Sequence, residues 1–200
     1  MKENIFTFYV NKFALIKEVK KEELSSIPML IRRRMNDFDK FGYIAMKNAY
    51  EENIQNIIFS SLDGQAERLN ELIFQYGREN SVSPALFSGS VHNYTPGLFL
   101  FIEKKSIPYN SISSFSNALS FGLLSSVISS YDEVLYCFTD KIDGSYVSFA
   151  LNISKNGGGK KYILELNSNE TKEDNIEEFQ AFFGGKINVL YTKMYKACKL

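Results

Sequence analysis

Where a strand runs straight into a helix, an α/β protein has a natural mount for a nucleophile. The helix N-terminus directs unpaired N–H groups and a partial positive charge at that joint. Residues 111–124 have this form: an apolar strand, a joint of Ser114, Phe115, Ser116 and Asn117, and a nearly all-apolar helix. No cysteine stands in the joint. A serine there needs a neighbouring base and an orienting partner, and the G-x-S-x-G elbow is absent. His92 is the one histidine of the sequence. Its setting, a loop over residues 88–93 with Ser90 and Asn93 beside it, favours a structural or interface role over that of a general base. Ser116 reads better as the N-cap of the following helix. The competing reading pairs Ser116 or Ser114 with His92 in a small serine-dependent acyl transferase or hydrolase.

Other clusters carry less chemistry. The run Gly157-Gly158-Gly159-Lys160-Lys161 lacks the phosphate-loop spacing and precedes a strand, whereas phosphate cradling needs a helix N-terminus, so a hairpin turn is expected. Arg32, Arg33 and Arg34 fan around a helix, and at most two can share a face. One histidine and two distant cysteines, Cys137 and Cys198, assemble no zinc set, and no metal or cofactor is expected. The paired carboxylates Glu22/Glu23, Glu51/Glu52 and Glu177/Glu178 lie in charged stretches and read as solvent faces.

Composition bounds the class. The 200 residues are 44% hydrophobic, with 23 Lys plus Arg balancing 23 Asp plus Glu. No global field therefore favours nucleic acid or an anionic membrane. The 17 Phe and 12 Tyr are many, and some are expected to line an interface or an apolar cavity, with core packing able to absorb most of them as the alternative. No window is apolar and long enough to span a bilayer, and residues 1–6 do not resemble a signal peptide. A reduced, cytoplasmic protein is expected, with Cys137 a buried thiol.

The elements that must position the joint follow from periodicity. Strands are expected at 5–16, 56–62, 110–115, 133–139, 146–154 and 160–167, the last two joined by the glycine run. Helices are expected at 28–36, 37–49, 97–104 and 117–130, with Asp37 or Asp39 capping the second. Another is capped by Asp63-Gly64, with Ala66, Leu69, Leu72, Ile73 and Tyr76 as its apolar face. Alternating strands and helices imply a largely parallel sheet covered on both faces, closed by an antiparallel hairpin. The polar stretch 167–175 reads as a linker. Beyond it Ile176, Phe179, Phe182 and Phe183 form one apolar helix face and residues 186–200 are basic and aromatic; this tail is expected to cover an edge of the sheet.

Taken together, the segments Pro28-Met-Leu-Ile-Arg-Arg-Arg-Met35, Phe59 to Ser61 with Gly64, Glu67 and Leu69, Ser83-Pro84, Phe87-Ser88, Ser90-Val-His-Asn93, Gly97 and Pro108 resemble the β-ketoacyl synthase-like family. The similarity is to the short chain-length-factor-type subunits of aryl polyene and flexirubin-type pathways, over residues 27 to 153. It implies an α/β, thiolase-like half: a mostly parallel or mixed sheet with helices on both faces. It also implies a domain over residues 1–167 with a C-terminal extension, 168–200, packed on it. A full ketosynthase carries its cysteine at the joint and two histidines in a second half. Here counting from Pro108 points at Ser116 and counting back from Gly122 points at Ser114, so Ser114, Phe115 and Ser116 mark a vestigial nucleophile position. The resemblance thus implies a subunit without condensing activity of its own. Its implied partner is a full-length β-ketoacyl synthase in a heterodimer, with acyl carrier protein as a further candidate. Phe115 becomes a candidate for lining or plugging the acyl tunnel, with plain core packing as the alternative.

Overall fold

The computed structural model describes residues 5–166 and 172–200. Eight strands form one sheet: β1 (Ile5–Ile16), β2 (Asn56–Ser61), β3 (Tyr109–Ser113), β4 (Glu133–Ile142), β5 (Ser145–Ser154), β6 (Lys160–Leu166), β7 (Val189–Tyr191) and β8 (Tyr195–Lys199). The order across the sheet is β3-β2-β4-β5-β1-β6-β8-β7. Only β3, β2 and β4 run parallel; every other pairing is antiparallel. The sheet is therefore mixed, and its parallel part is smaller than the alternation of elements suggests. Parallel pairing needs a crossover, and helices supply one only up to β4. From there Asp143 and Gly144, both left-handed at φ 50° and 80°, turn the chain straight back into β5.

The glycine run 157–159 does not close a hairpin. β1 lies between β5 and β6, with Phe13 opposite Leu151 on one side and Phe8 opposite Tyr162 on the other. The loop steps over β1 instead, and close approach explains its glycines. A Cβ on Gly159 would lie 2.4 Å from the Val10 carbonyl oxygen, where β1 carries a bulge between Val10 and Lys12.

Helices cover both faces. α2 (Asp37–Ala49) and α5 (Tyr94–Glu103) pack on Ile57, Phe59, Leu135 and Cys137. α6 (Ala118–Val127) and α7 (Ile176–Phe183) pack on the opposite face, on Ile58, Tyr136, Phe138 and Phe149. Between two helical layers β4 is buried on both sides, which is why residues 134–138 read as a continuous apolar run. α6 comes very close to the sheet: a Cβ on Gly122 would lie 2.4 Å from the Tyr136 ring.

Several local expectations change. The helix after Pro28 is one turn, α1 (Met29–Arg32). Asn36 rather than an aspartate caps α2: its side chain accepts from the Asp39 N–H at 2.9 Å, while Asp39 reaches back to the Asn36 N–H, a reciprocal box. The apolar face of α3 (Ala66–Glu79) does not enter the core: Leu69, Ile73 and Tyr76 are exposed, as is Phe74. α2 and α5 already cover that face of the sheet, so α3 forms an outer layer beside α4 (Pro84–Gly89). At the other end, β8 pairs along β6 and β7 along β8, so the C-terminal residues cover that edge by extending the sheet, and α7 buries Phe179, Phe182 and Phe183 against a face. The linker expected at 167–175 falls outside the described residues up to 171.

Cys137 and Cys198 are both free thiols, and burial pushes the Cys137 pKa up to about 12. Among the described residues no helix is long and apolar enough to cross a membrane, and no three His, Cys, Asp or Glu side chains form a metal-binding group.

Candidate functional site

The joint lies where β3 leaves the sheet. β3 ends at Ser113, and the Asn117 N–H bonds the Ser114 carbonyl at 3.1 Å in a turn that leads into α6. Ser114 is half-buried, Ser116 is exposed, and Phe115 is 83% exposed. Plain core packing is thereby excluded for Phe115 in this chain. Ser116 is not the helix cap. Asn117 takes that position, and among the described residues its side chain caps nothing and its buried Oδ1 has no hydrogen-bond partner.

His92 does not approach Ser114 or Ser116 by any hydrogen bond among the described residues. Its Nε2 lies 2.6 Å from the Ser61 Oγ, and its ring packs against Phe59 at 5.7 Å between centroids. Phe59 belongs to the α2/α5 face, whereas α6 covers the other face. The sheet itself thus stands between His92 and the helix that follows the joint. Ser61 and His92 form the sort of pair a hydrolase uses, but Ser61 is wholly buried at the end of β2. Desolvation lowers the His92 pKa, so the ring is held neutral. Gly64 makes room for it: with φ at +62°, a Cβ there would lie 2.7 Å from His92 Cδ2. Beside it, the Ser90 hydroxyl donates to the Phe87 carbonyl at 2.8 Å, and Asn93 is the N-cap residue of α5 without a side-chain cap bond. The loop is a locked corner of the fold.

Two polar arrangements escaped sequence reading. In the first, Asp39 is fully buried and ion-paired with Arg68 at 3.0 Å. Asp39 also accepts from Thr95 and from Gln65, both at 2.8 Å. Arg68 donates to the Gly89 and Arg34 carbonyls at 2.8 and 3.0 Å. Burial raises the Asp39 pKa, opposed by Arg68 and its hydrogen-bond donors. One carboxylate and one guanidinium thus pin α2, α3, α4 and α5 together, and Arg68 is the one buried residue of α3. In the second, the Asp174 carboxylate accepts from both the backbone N–H of Ser120, at 2.7 Å, and its hydroxyl, at the N-terminus of α6. Neither had a signal of its own: Arg68 sits in a charged helix, and Asp174 in a stretch that reads as a linker.

Among the described residues β3 pairs only with β2, so its outer edge is open. Exposed Phe101 of α5 lies in one cleft with Tyr109 of β3, and exposed Phe115 follows the end of β3 at the joint. A cleft of about 490 Å³ lies against β3, walled by Ile31, Val91, Tyr94, Leu98, Phe101 and Tyr109. Such an edge with flanking aromatic groups is a template for another chain. Chemically, the site can pair and pack; among the described residues no hydrogen bond from a base reaches Ser114 or Ser116.

No curated protein matches the sequence. Among solved structures, one chain belongs to the ketosynthase ApeO in complex with its chain length factor ApeC, from Xenorhabdus doucetiae. It superposes at a TM-score of 0.70 and 16% identity, over 96% of this chain and 99% of that one. A chain of the ishigamide ketosynthase/chain length factor superposes at 0.64 and 5% identity, over 82% and 68%. At these identities the likeness is one of fold, and the fold is α/β and thiolase-like. In sequence, the model of the β-ketoacyl synthase N-terminal domain matches residues 10–176, from β1 to the first residue of α7. This chain belongs to the β-ketoacyl synthase N-terminal domain family.

Proposed function

We propose that this chain is a non-catalytic, chain-length-factor-type subunit that pairs with a full-length β-ketoacyl synthase in polyene or fatty-acyl chain assembly in the cytoplasm. In this reading residues 1–167 form the ketosynthase-type unit and 168–200 an extension packed on it. The observation that carries it is Phe115, a large aromatic side chain 83% exposed beside an unpaired strand edge. A lone domain has no reason to hold that ring in water, whereas a partner strand along β3 would bury it with Phe101 and Phe121. Further support comes from the joint, which holds Ser114 and Ser116 where an acylated cysteine would stand. Ser90, His92 and Asn93 act as the structural corner beneath this surface. Acyl carrier protein docks on the assembled pair.

Co-expression with a full-length ketosynthase tests the pairing. The expected result is a stable one-to-one complex that Phe115→Asp disrupts without lowering the melting temperature of the isolated chain. A chain that purifies as a stable monomer with no affinity for such a ketosynthase overturns it. Nothing in the geometry favours the hydrolase reading with Ser116 or Ser114, and no labelling by a serine-reactive probe is expected.

A further inference from the structure

The attachments of α3 lie on one side of the helix. Arg68 is its one buried residue, Glu67 pairs with Lys141 at 2.6 Å, and Gln75 accepts from the Ser83 N–H at 3.1 Å. The other side carries Leu69, Ile73, Phe74 and Tyr76, between 47 and 67% exposed. Leu69, Ile73 and Tyr76 stand four and then three positions apart, the spacing of a helix-packing seam. At 3.6 residues per turn, the arc from Tyr76 through Ile73 to Phe74 holds only Ala66, Asn70 and Gly77 besides, and no charge. Gly77 meets no steric demand within its own chain: a Cβ there would find nothing within 4 Å. Glycine weakens a helix, and the space it leaves admits a second backbone.

We propose that this face of α3 is where two copies of the chain meet, with the two helices packed antiparallel about a twofold axis at Ile73. Three features select a second copy. In that arrangement Ile73 meets Ile73, Leu69 meets Tyr76 of the second copy, and Asn70 meets Gly77, so a single helix supplies both halves of every layer. The antiparallel order also sets the two helix dipoles head to tail, and the charge-free arc brings no like charges together. The area suffices for a reversible contact: side chains of this size have on the order of 200 Å² each, so the four expose roughly 450 Å² and a twofold pair covers about 900 Å². Such a contact is of the weak class, so the chain is single when dilute and paired when concentrated. The face is separate from the β3 edge, so a ketosynthase pairing and this one can stand or fail independently.

Sedimentation equilibrium of the full chain from about 1 to about 500 μM, a range that brackets a weak contact, tests it. The weight-average mass should rise with concentration from one copy toward two. Ile73→Asp should hold it at one copy throughout without changing the melting temperature of the dilute chain, whereas Phe115→Asp should leave the rise intact. A single copy at every concentration overturns the proposal, as does a rise that survives Ile73→Asp or vanishes with Phe115→Asp. Should Ile73→Asp not fold, cross-linking decides. In a Cys198→Ser background, an equal mixture of Leu69→Cys and Tyr76→Cys chains should form disulfide-linked dimers faster than either variant alone. Equal rates overturn the antiparallel pair.

Discussion

Helix α7 turns Phe179, Phe182 and Phe183 into the core, whereas α3 turns Leu69, Ile73, Phe74 and Tyr76 into solvent. Both are amphipathic, and both lie outside the central strands. The difference is in what holds them. α7 covers a sheet face that would otherwise be bare, so apolar burial fixes it. α3 arrives over a face already occupied by α2 and α5, and its attachment is polar, through Arg68 to Asp39, Gly89 and Arg34. An apolar stripe states that a helix has a side to be covered; it does not state whether the chain itself supplies the cover.

The contrast can be broken in three ways. Phe182→Ala should lose about 3–5 kcal/mol, the usual cost of emptying a packed aromatic position, as read by urea denaturation. Arg68→Ala should cost a comparable amount, about 3–5 kcal/mol, by leaving Asp39 charged and unpaired in the interior. Its distinguishing sign is early proteolytic cutting around α3 and α4 while the sheet remains protected; uniform unfolding would refute the polar attachment. Ile73→Ser with Phe74→Ser should leave the isolated chain within about 0.5 kcal/mol of wild type, as exposed substitutions do. A larger loss would mean that the stripe is buried after all.

The smallest effect is a pH dependence carried by His92. Its folded pKa lies below the ordinary value of 6.5, so the unfolded chain takes up the proton first. The stabilising contribution is complete above that ordinary value and is lost as pH falls from there through the lowered folded pKa. With a single histidine in the sequence, His92→Asn should flatten the slope of stability just below that ordinary value. A slope that survives the substitution assigns it to the carboxylates instead.

The joint at 114–117, the buried run in β4 and the phenylalanine face of α7 could be read from sequence, because each is a local pattern with one physical solution. What could not be read is non-local. Nothing within residues 155–161 announces that β1 will lie between the strands they connect. Nothing in the three residues of β7 or the lysine-bearing β8 announces that they extend the sheet. The two carboxylates that organise the helices, Asp39 and Asp174, find their partners 29 and 54 positions away, and periodicity carries no such information. His92 lay nearer the limit: its loop showed a structural corner, but only the fold shows Ser61 as its partner.

The position of β1 between β5 and β6 has a consequence for how the protein is made. Val10 meets Ile153 on one side and Lys160 on the other, so a segment of Ile, Phe, Tyr and Val must wait for most of the sequence to be translated. At about 5–20 residues per second that interval is on the order of ten seconds. During it the segment presents unpaired backbone and large apolar side chains to every neighbouring nascent chain. Asn11 and Lys12 interrupt the apolar run at its middle and mark the bulge in the finished sheet. Polar residues in the middle of such a run are the kind that hinders premature β-pairing, a consequence that falls before the fold exists.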